Sequence, residues 1–200
     1  GSTGGAGGST GGAGGGGGST GGAGGGGAGG SSGMLSITVD GVPDPAKMRL
    51  CFKPEATNSG GNHSPKIDWT GVPAEAKSLV LTTEDLTGTP VCHQIICNIP
   101  PTVTGNPADA KSMIPAGAEA SYGHSGKTAW YGPGAGAPLR RYEIKIWALA
   151  TPMFEGGCGG PATSSRMHCT RLKAMASDKT KVLATASQIL WGEADGKGCP

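Results

Sequence analysis

The chain has 200 residues, 40 of them glycine, with 16 Lys and Arg against 14 Asp and Glu for a formal net charge of +2. Acids and bases are interspersed, which argues against a dedicated nucleic-acid surface. No apolar run approaches the roughly 20 residues that a bilayer-spanning helix requires.

Residues 1–33 contain only Gly, Ser, Thr and Ala and repeat STGGAGG from Ser2, Ser9 and Ser19. With no apolar surface and no charge, nothing offsets the entropy of ordering them. A flexible coil of this length spans roughly 30 Å, so the segment reads as a disordered tether. Residues 34–200 then suit one domain with a single core.

In that domain Leu35, Ile37 and Val39 alternate with polar residues and predict an opening strand with those three inward. Residues 40–45 are a turn-rich break, and 48–52 read as a second short strand. Residues 58–65 form a polar loop that carries a surface His63, followed by 67–69 leading into a turn at Gly71 and Pro73. Two β-branched runs follow, 79–83 and 91–99, joined through Gly88 and Pro90 and bounded by turn residues. Both read as buried strands. Asp85 closes the first and His93 opens the second, so one end of the pair presents a carboxylate and an imidazole. A structural ion pair or the wall of a ligand site would each account for such groups beside a core.

Residues 100–120 are poor in apolar side chains and read as a long surface connection. Residues 121–138 are glycine-rich, with backbone that can approach a bound group closely. Gly126, Lys127 and Thr128 lack the preceding spacing of a phosphate-binding loop. From Arg140 a period of two places Arg140, Tyr142, Ile144, Ile146 and Ala148 on one strand face, and Arg141, Glu143, Lys145 and Trp147 on the other. The apolar face looks inward, so Arg140 sits at the lip of the core, where a guanidinium needs an acid or an anion. Asp85, Asp68 and a bound ligand all qualify. Residues 151–165 form a Gly/Pro/Ser excursion, 166–176 a short helix whose methionines fill core, 181–191 a last strand, and 192–200 a tail that Cys199 would tie down.

Six cysteines, at 51, 92, 97, 158, 169 and 199, include no C-x2-C pair. A disulfide framework in an oxidising compartment fits better than a zinc site. Cys158 with Cys169 is the first choice of pair, since both lie around one excursion; Cys92 and Cys97 also read as plain buried thiols. A metal site at His93 and Cys97, which share strand parity, lacks further ligands at suitable spacing. A tether ahead of a cysteine-bearing domain suggests an exported protein of the cell envelope or extracellular space. The start at Gly1 is compatible with a removed segment and a lipid anchor.

The order of the segments 62–73, 78–85, 93–100, 130–133, 141–149 and 182–186 resembles the phosphatidylethanolamine-binding protein family, close to its bacterial Raf-kinase-inhibitor-like branch. The resemblance implies a mainly β fold: a large antiparallel sheet packed with a smaller sheet and a few short peripheral helices. It also implies a small pocket for phosphate-like anions. Carried over by position, Asp85 is the pocket acid, His93 the pocket histidine, Gly132 and Pro133 the backbone at the mouth, and Tyr142 a hydroxyl. Arg140 stands where the family usually has a histidine, Leu86 and Gly134 where it has prolines, and Val91 where it has an aromatic residue.

These readings converge on a non-catalytic binding module for a small anion or a phospholipid headgroup, with no cofactor and no metal. The alternative is a protease or kinase inhibitor whose surface loops meet a protein partner. A hydrolase using Ser64, Ser121 or Ser125 ranks below both, because no G-x-S-x-G elbow is present.

Overall fold

The computed structural model describes residues 33–39, 49–51, 65–107, 114–122, 140–159 and 164–193. Nine strands and one helix follow in chain order among them: β1 Ser36–Val39, β2 Arg49–Cys51, β3 Ile67–Thr70, β4 Ser78–Asp85, β5 Val91–Ile99, β6 Gly105–Asn106, β7 Glu119–Tyr122, β8 Arg140–Leu149, α1 Ser164–Met175 and β9 Val182–Glu193. The large sheet has the order β2-β9-β8-β4-β5-β7 and the small one β1-β3-β6. Pairing is antiparallel throughout, except that β2 lies parallel to β9.

The large sheet is covered on both sides, which explains why its central strands carry long unbroken apolar runs. On one side the small sheet supplies Leu35, Val39, Ile67 and Trp69. These pack on Leu79, Leu81, Ile96, Ile99, Tyr142, Ile144, Ile146 and Ala148. On the other side α1 and the 151–159 loop supply Phe154, Cys158, Cys169 and Leu172 against Val80, Ile95, Trp147 and Leu149. The described residues therefore form three layers with two cores rather than the single core expected. The alternation expected for β8 holds, but its second face is not left to solvent. Trp147 is buried beneath the helical layer, its indole N–H donating to Thr82 Oγ1 at 3.1 Å, with Lys145 Nζ 4.4 Å from its ring centroid.

Two disulfides pin that layer to β5: Cys92–Cys169 reaches α1, and Cys97–Cys158 reaches the loop before it. The expected Cys158–Cys169 pair is thus wrong, as is the reading of Cys92 and Cys97 as plain thiols. Closure of a local loop suggested the former, whereas the helix docks on β5 and brings each cysteine to a strand partner.

β5 makes this possible through two register shifts against β4, one between the Leu79 and Leu81 pairings and one between the Thr83 and Glu84 pairings. At the second, Gln94 pairs with Thr83 and Cys92 with Glu84, leaving His93 as an extra residue. At the first, the extra residue falls beside Asn98, whose φ of 59° lies in the left-handed region that Asn tolerates. Cys92 and Cys97, five positions apart, would face opposite ways in a regular strand, yet both lie in the helix-side core.

Three smaller expectations change. Residues 67–70 are a strand rather than the approach to a turn, and the long connection after β5 is fastened to β3 by β6. Met167 is 55% exposed rather than core filler, while Met175 packs on the helix-side core. His63, Ser64, Ser125, Gly132, Pro133 and Cys199 lie outside the described residues.

Candidate functional site: an acid, two rings and a guanidinium at the end of β4

Because β4 runs antiparallel to both neighbours, its last residue meets the beginnings of β5 and β8. Asp85 is the register partner of Val91 on one side and Tyr142 on the other. Its side chain is only 3% exposed, a depth at which an unpaired carboxylate would be costly. Both oxygens are engaged. Oδ1 accepts the Thr87 N–H at 2.7 Å, an Asx-type turn that folds the chain back, and Oδ2 accepts Arg140 Nη1 at 2.6 Å. The same turn is tied to β8 by the Leu86 N–H on the Arg141 carbonyl and the Arg141 N–H on Thr87 Oγ1.

Arg140 is 35% exposed. Its hydrogen bond to Asp85 holds the guanidinium pKa above its ordinary value, against the opposing effect of burial, so it is cationic at every accessible pH. One bond to Asp85 uses one of five N–H donors. Beside the pair, the rings of His93 and Tyr142 meet edge to face with centroids 5.5 Å apart, a favoured aromatic geometry. Both are buried. The shift in β5 is what turns His93 toward Tyr142, while Cys92 next to it faces α1. The structure therefore brings Asp85, His93, Arg140 and Tyr142 to one rim. Of the acids weighed for Arg140, Asp85 is its partner, and Asp68 pairs with Lys66 on the small sheet.

Sequence reasoning passed over Thr87, although Asp-x-Thr at a strand end is a recognisable turn signal. It also passed over Glu119 and His168 in the helix-side layer. Glu119 accepts the N–H groups of Cys158 and Gly159 at 3.1 and 3.0 Å and the Asn98 amide at 3.2 Å. These bonds, the Gly159 and Cys158 amides foremost, hold its pKa below the usual carboxylate value. His168 is 4% exposed with neither ring nitrogen hydrogen-bonded among the described residues. Burial, with Arg171 nearby, lowers its pKa.

The ligand atoms of Cys97, Glu119 and Cys158 lie within 4.8 Å of one another. The two sulfurs form a disulfide and offer no thiolate to a metal. The parity argument for a His93–Cys97 metal site fails as well, since His93 meets Tyr142 while Cys97 lies in the helix-side core.

The chain matches the profile of the phosphatidylethanolamine-binding protein family over residues 42–188. It belongs to that family. Among curated sequences it is similar to a UPF0098 protein of Methanothermobacter thermautotrophicus, 39% identical over 100 residues, covering 48% of this chain and 66% of the relative. It is also similar to the UPF0098 protein YbcL of Escherichia coli, 38% identical over 101 residues, covering 46% of this chain and 55% of the relative. The matched stretch thus spans less than two thirds of either relative. Among solved structures, E. coli YbcL superposes with a TM-score of 0.57 at 24% identity, covering 82% of this chain and all of that one. A phosphatidylethanolamine-binding protein homologue from Chlamydia trachomatis gives 0.55 at 22% identity, covering 81% of this chain and 99% of that one. These likenesses establish the fold, as expected from the sequence, with one helix among the described residues where a few were anticipated. No described helix is long and apolar enough to cross a membrane.

Proposed function

We propose that the chain is a non-catalytic binding module whose rim at the end of β4 takes a small anion of the phosphoryl or phospho-headgroup class. The observation that carries this reading is Arg140: a permanent cation, oriented by a buried carboxylate, half-exposed beside a histidine and a tyrosine. An oriented guanidinium with spare donors suits the forked geometry of phosphate oxygens. Family membership supports the same class of ligand.

Catalysis gains no support from the arrangement. Ser121, the one candidate nucleophile within the described residues, pairs with Ile95 on the helix side of the sheet, away from His93. Residence outside the cytoplasm, with residues 1–33 as a tether, is the setting we assign; two disulfides bridging the sheet and the helical layer are consistent with an oxidising compartment.

The test is thermal unfolding with and without millimolar inorganic phosphate, on the full chain and on Arg140→Ala. Phosphate is expected to raise the melting temperature of the parent and not of the variant. A parent chain indifferent to phosphate would defeat the proposal.

A further inference from the structure

The helix-side layer holds buried polar groups that share no residue with the rim. Ser121 Oγ and both ring nitrogens of His168 have no hydrogen-bond partner among the described residues, although Ser121 is 1% and His168 4% exposed. Buried polar atoms left in this way call for an occupant. Both side chains border Glu119: Ser121 follows it by two residues on the same face of β7, and His168 is near enough for the carboxylate to act on its charge. Glu119 is fixed in turn by the Cys158 and Gly159 amides and by Asn98. Gly157 and Gly159 make room for it, since a Cβ on them would stand 2.7 and 3.2 Å from its Oε2. A carboxylate oxygen thereby lies within 4.8 Å of both sulfurs of the Cys97–Cys158 bond.

We infer that this corner is a redox-gated zinc site: once the Cys97–Cys158 bond is reduced, both thiolates and Glu119 ligate the ion, and His168 turns in as the fourth ligand. The oxidised chain offers no thiolate, so the bond is the gate. Reduction by a dithiol breaks one S–S bond and forms two S–H bonds. The dithiol supplies the two electrons and two protons and leaves as a disulfide. Zinc(II) then displaces both thiol protons. The Cα atoms of Cys97 and Cys158 are 6.0 Å apart. Tetrahedral zinc with sulfurs at about 2.3 Å sets those sulfurs roughly 3.8 Å from each other, a spacing that side-chain rotation reaches from this backbone. Two thiolates, a carboxylate and an imidazole suit zinc, whereas magnesium and calcium take oxygen ligands. Coordination would fasten the 151–159 loop to β5 and β7 at the place where the covalent bond does so now.

The experiment titrates the full chain with cobalt(II), a spectroscopic stand-in for zinc, in the disulfide form and after anaerobic reduction with a phosphine that does not compete for the metal. The reduced chain is expected to show a thiolate-to-metal charge-transfer band and the intense d–d bands of a tetrahedral ion, both bleached by zinc(II). The disulfide form is expected to show neither. Cys92→Ser with Cys169→Ser removes the other helix-side thiols and should keep the spectrum. Cys97→Ser with Cys158→Ser should abolish the charge-transfer band, and Glu119→Gln or His168→Ala should each weaken cobalt binding by about tenfold or more. Circular dichroism follows the fold: where reduction alone unfolds the chain, zinc is expected to restore it. A reduced chain that neither binds cobalt nor regains its fold with zinc overturns the inference, as does a charge-transfer band that survives the loss of Cys97 and Cys158. Binding undiminished by the replacement of Glu119 or of His168 overturns the ligand set.

Discussion

Burial keeps the imidazole of His168 neutral, edge-on to Phe154 with ring centroids 6.4 Å apart. The charged groups facing it are Arg171 on its own helix and Glu119 from β7; the first opposes a proton there and the second favours it. Its folded pKa lies below the ordinary 6.5, so the unfolded chain takes up the proton first. Stability from this residue is complete above pH 6.5 and is lost as pH falls through the lowered value. Glu119 acts in a lower window. Its folded pKa is below 4.5, so its contribution is present above that value and disappears as pH falls through the folded one. Chemical denaturation across pH 3–8 should show two descending steps toward acid. His168→Leu is expected to flatten the upper step and Glu119→Gln the lower; a parent profile flat between pH 7 and 5 would contradict the account of His168.

Elements are held by a few specific closures. The disulfides join residues 77 and 61 apart in sequence. Restricting loops of that size in the unfolded chain is worth roughly 4 kcal/mol each in the chain-entropy picture. Replacing Cys97 and Cys158 together by Ser should lower the melting temperature by on the order of 10 °C, measured by calorimetry. Gly71, with a φ of 70°, closes the turn after β3, and a Cβ there would collide with the Met34 carbonyl. Gly71→Ala is expected to cost about 1–3 kcal/mol through strain, readable as a shift in urea midpoint. At this scale the sequence was legible wherever a run carried a clear pattern: alternation placed β1, β8 and β9, and apolar β-branched runs placed β4 and β5. β3 was lost because four residues beside a Gly and a Pro carry too little pattern. The cysteine pairing was lost because it depends on which element docks on which, and strand parity cannot be counted through a register shift. At the rim, Asp85 with Arg140 was legible as a charge needing a partner at a core edge, whereas choosing Asp85 over Asp68 required the antiparallel order β5-β4-β8.

For the molecule as a whole, the described body begins at Gly33 and Met34, which pack against Gly71. Deleting residues 1–32 is therefore expected to leave the calorimetric melting temperature and the phosphate response unchanged, since a polar Gly-rich segment brings no apolar surface to any of the three layers. The register shift at His93 has a broader consequence. A strand between two cores must divide its side chains between two masters, and here β5 does so by one of its two register shifts: His93 turns toward Tyr142, Cys92 toward its bridge to α1. Remove a single amino acid there, and the imidazole and the sulfur exchange sides. The proposed anion rim and the Cys92–Cys169 bridge would then be lost in one stroke, although they share no atoms.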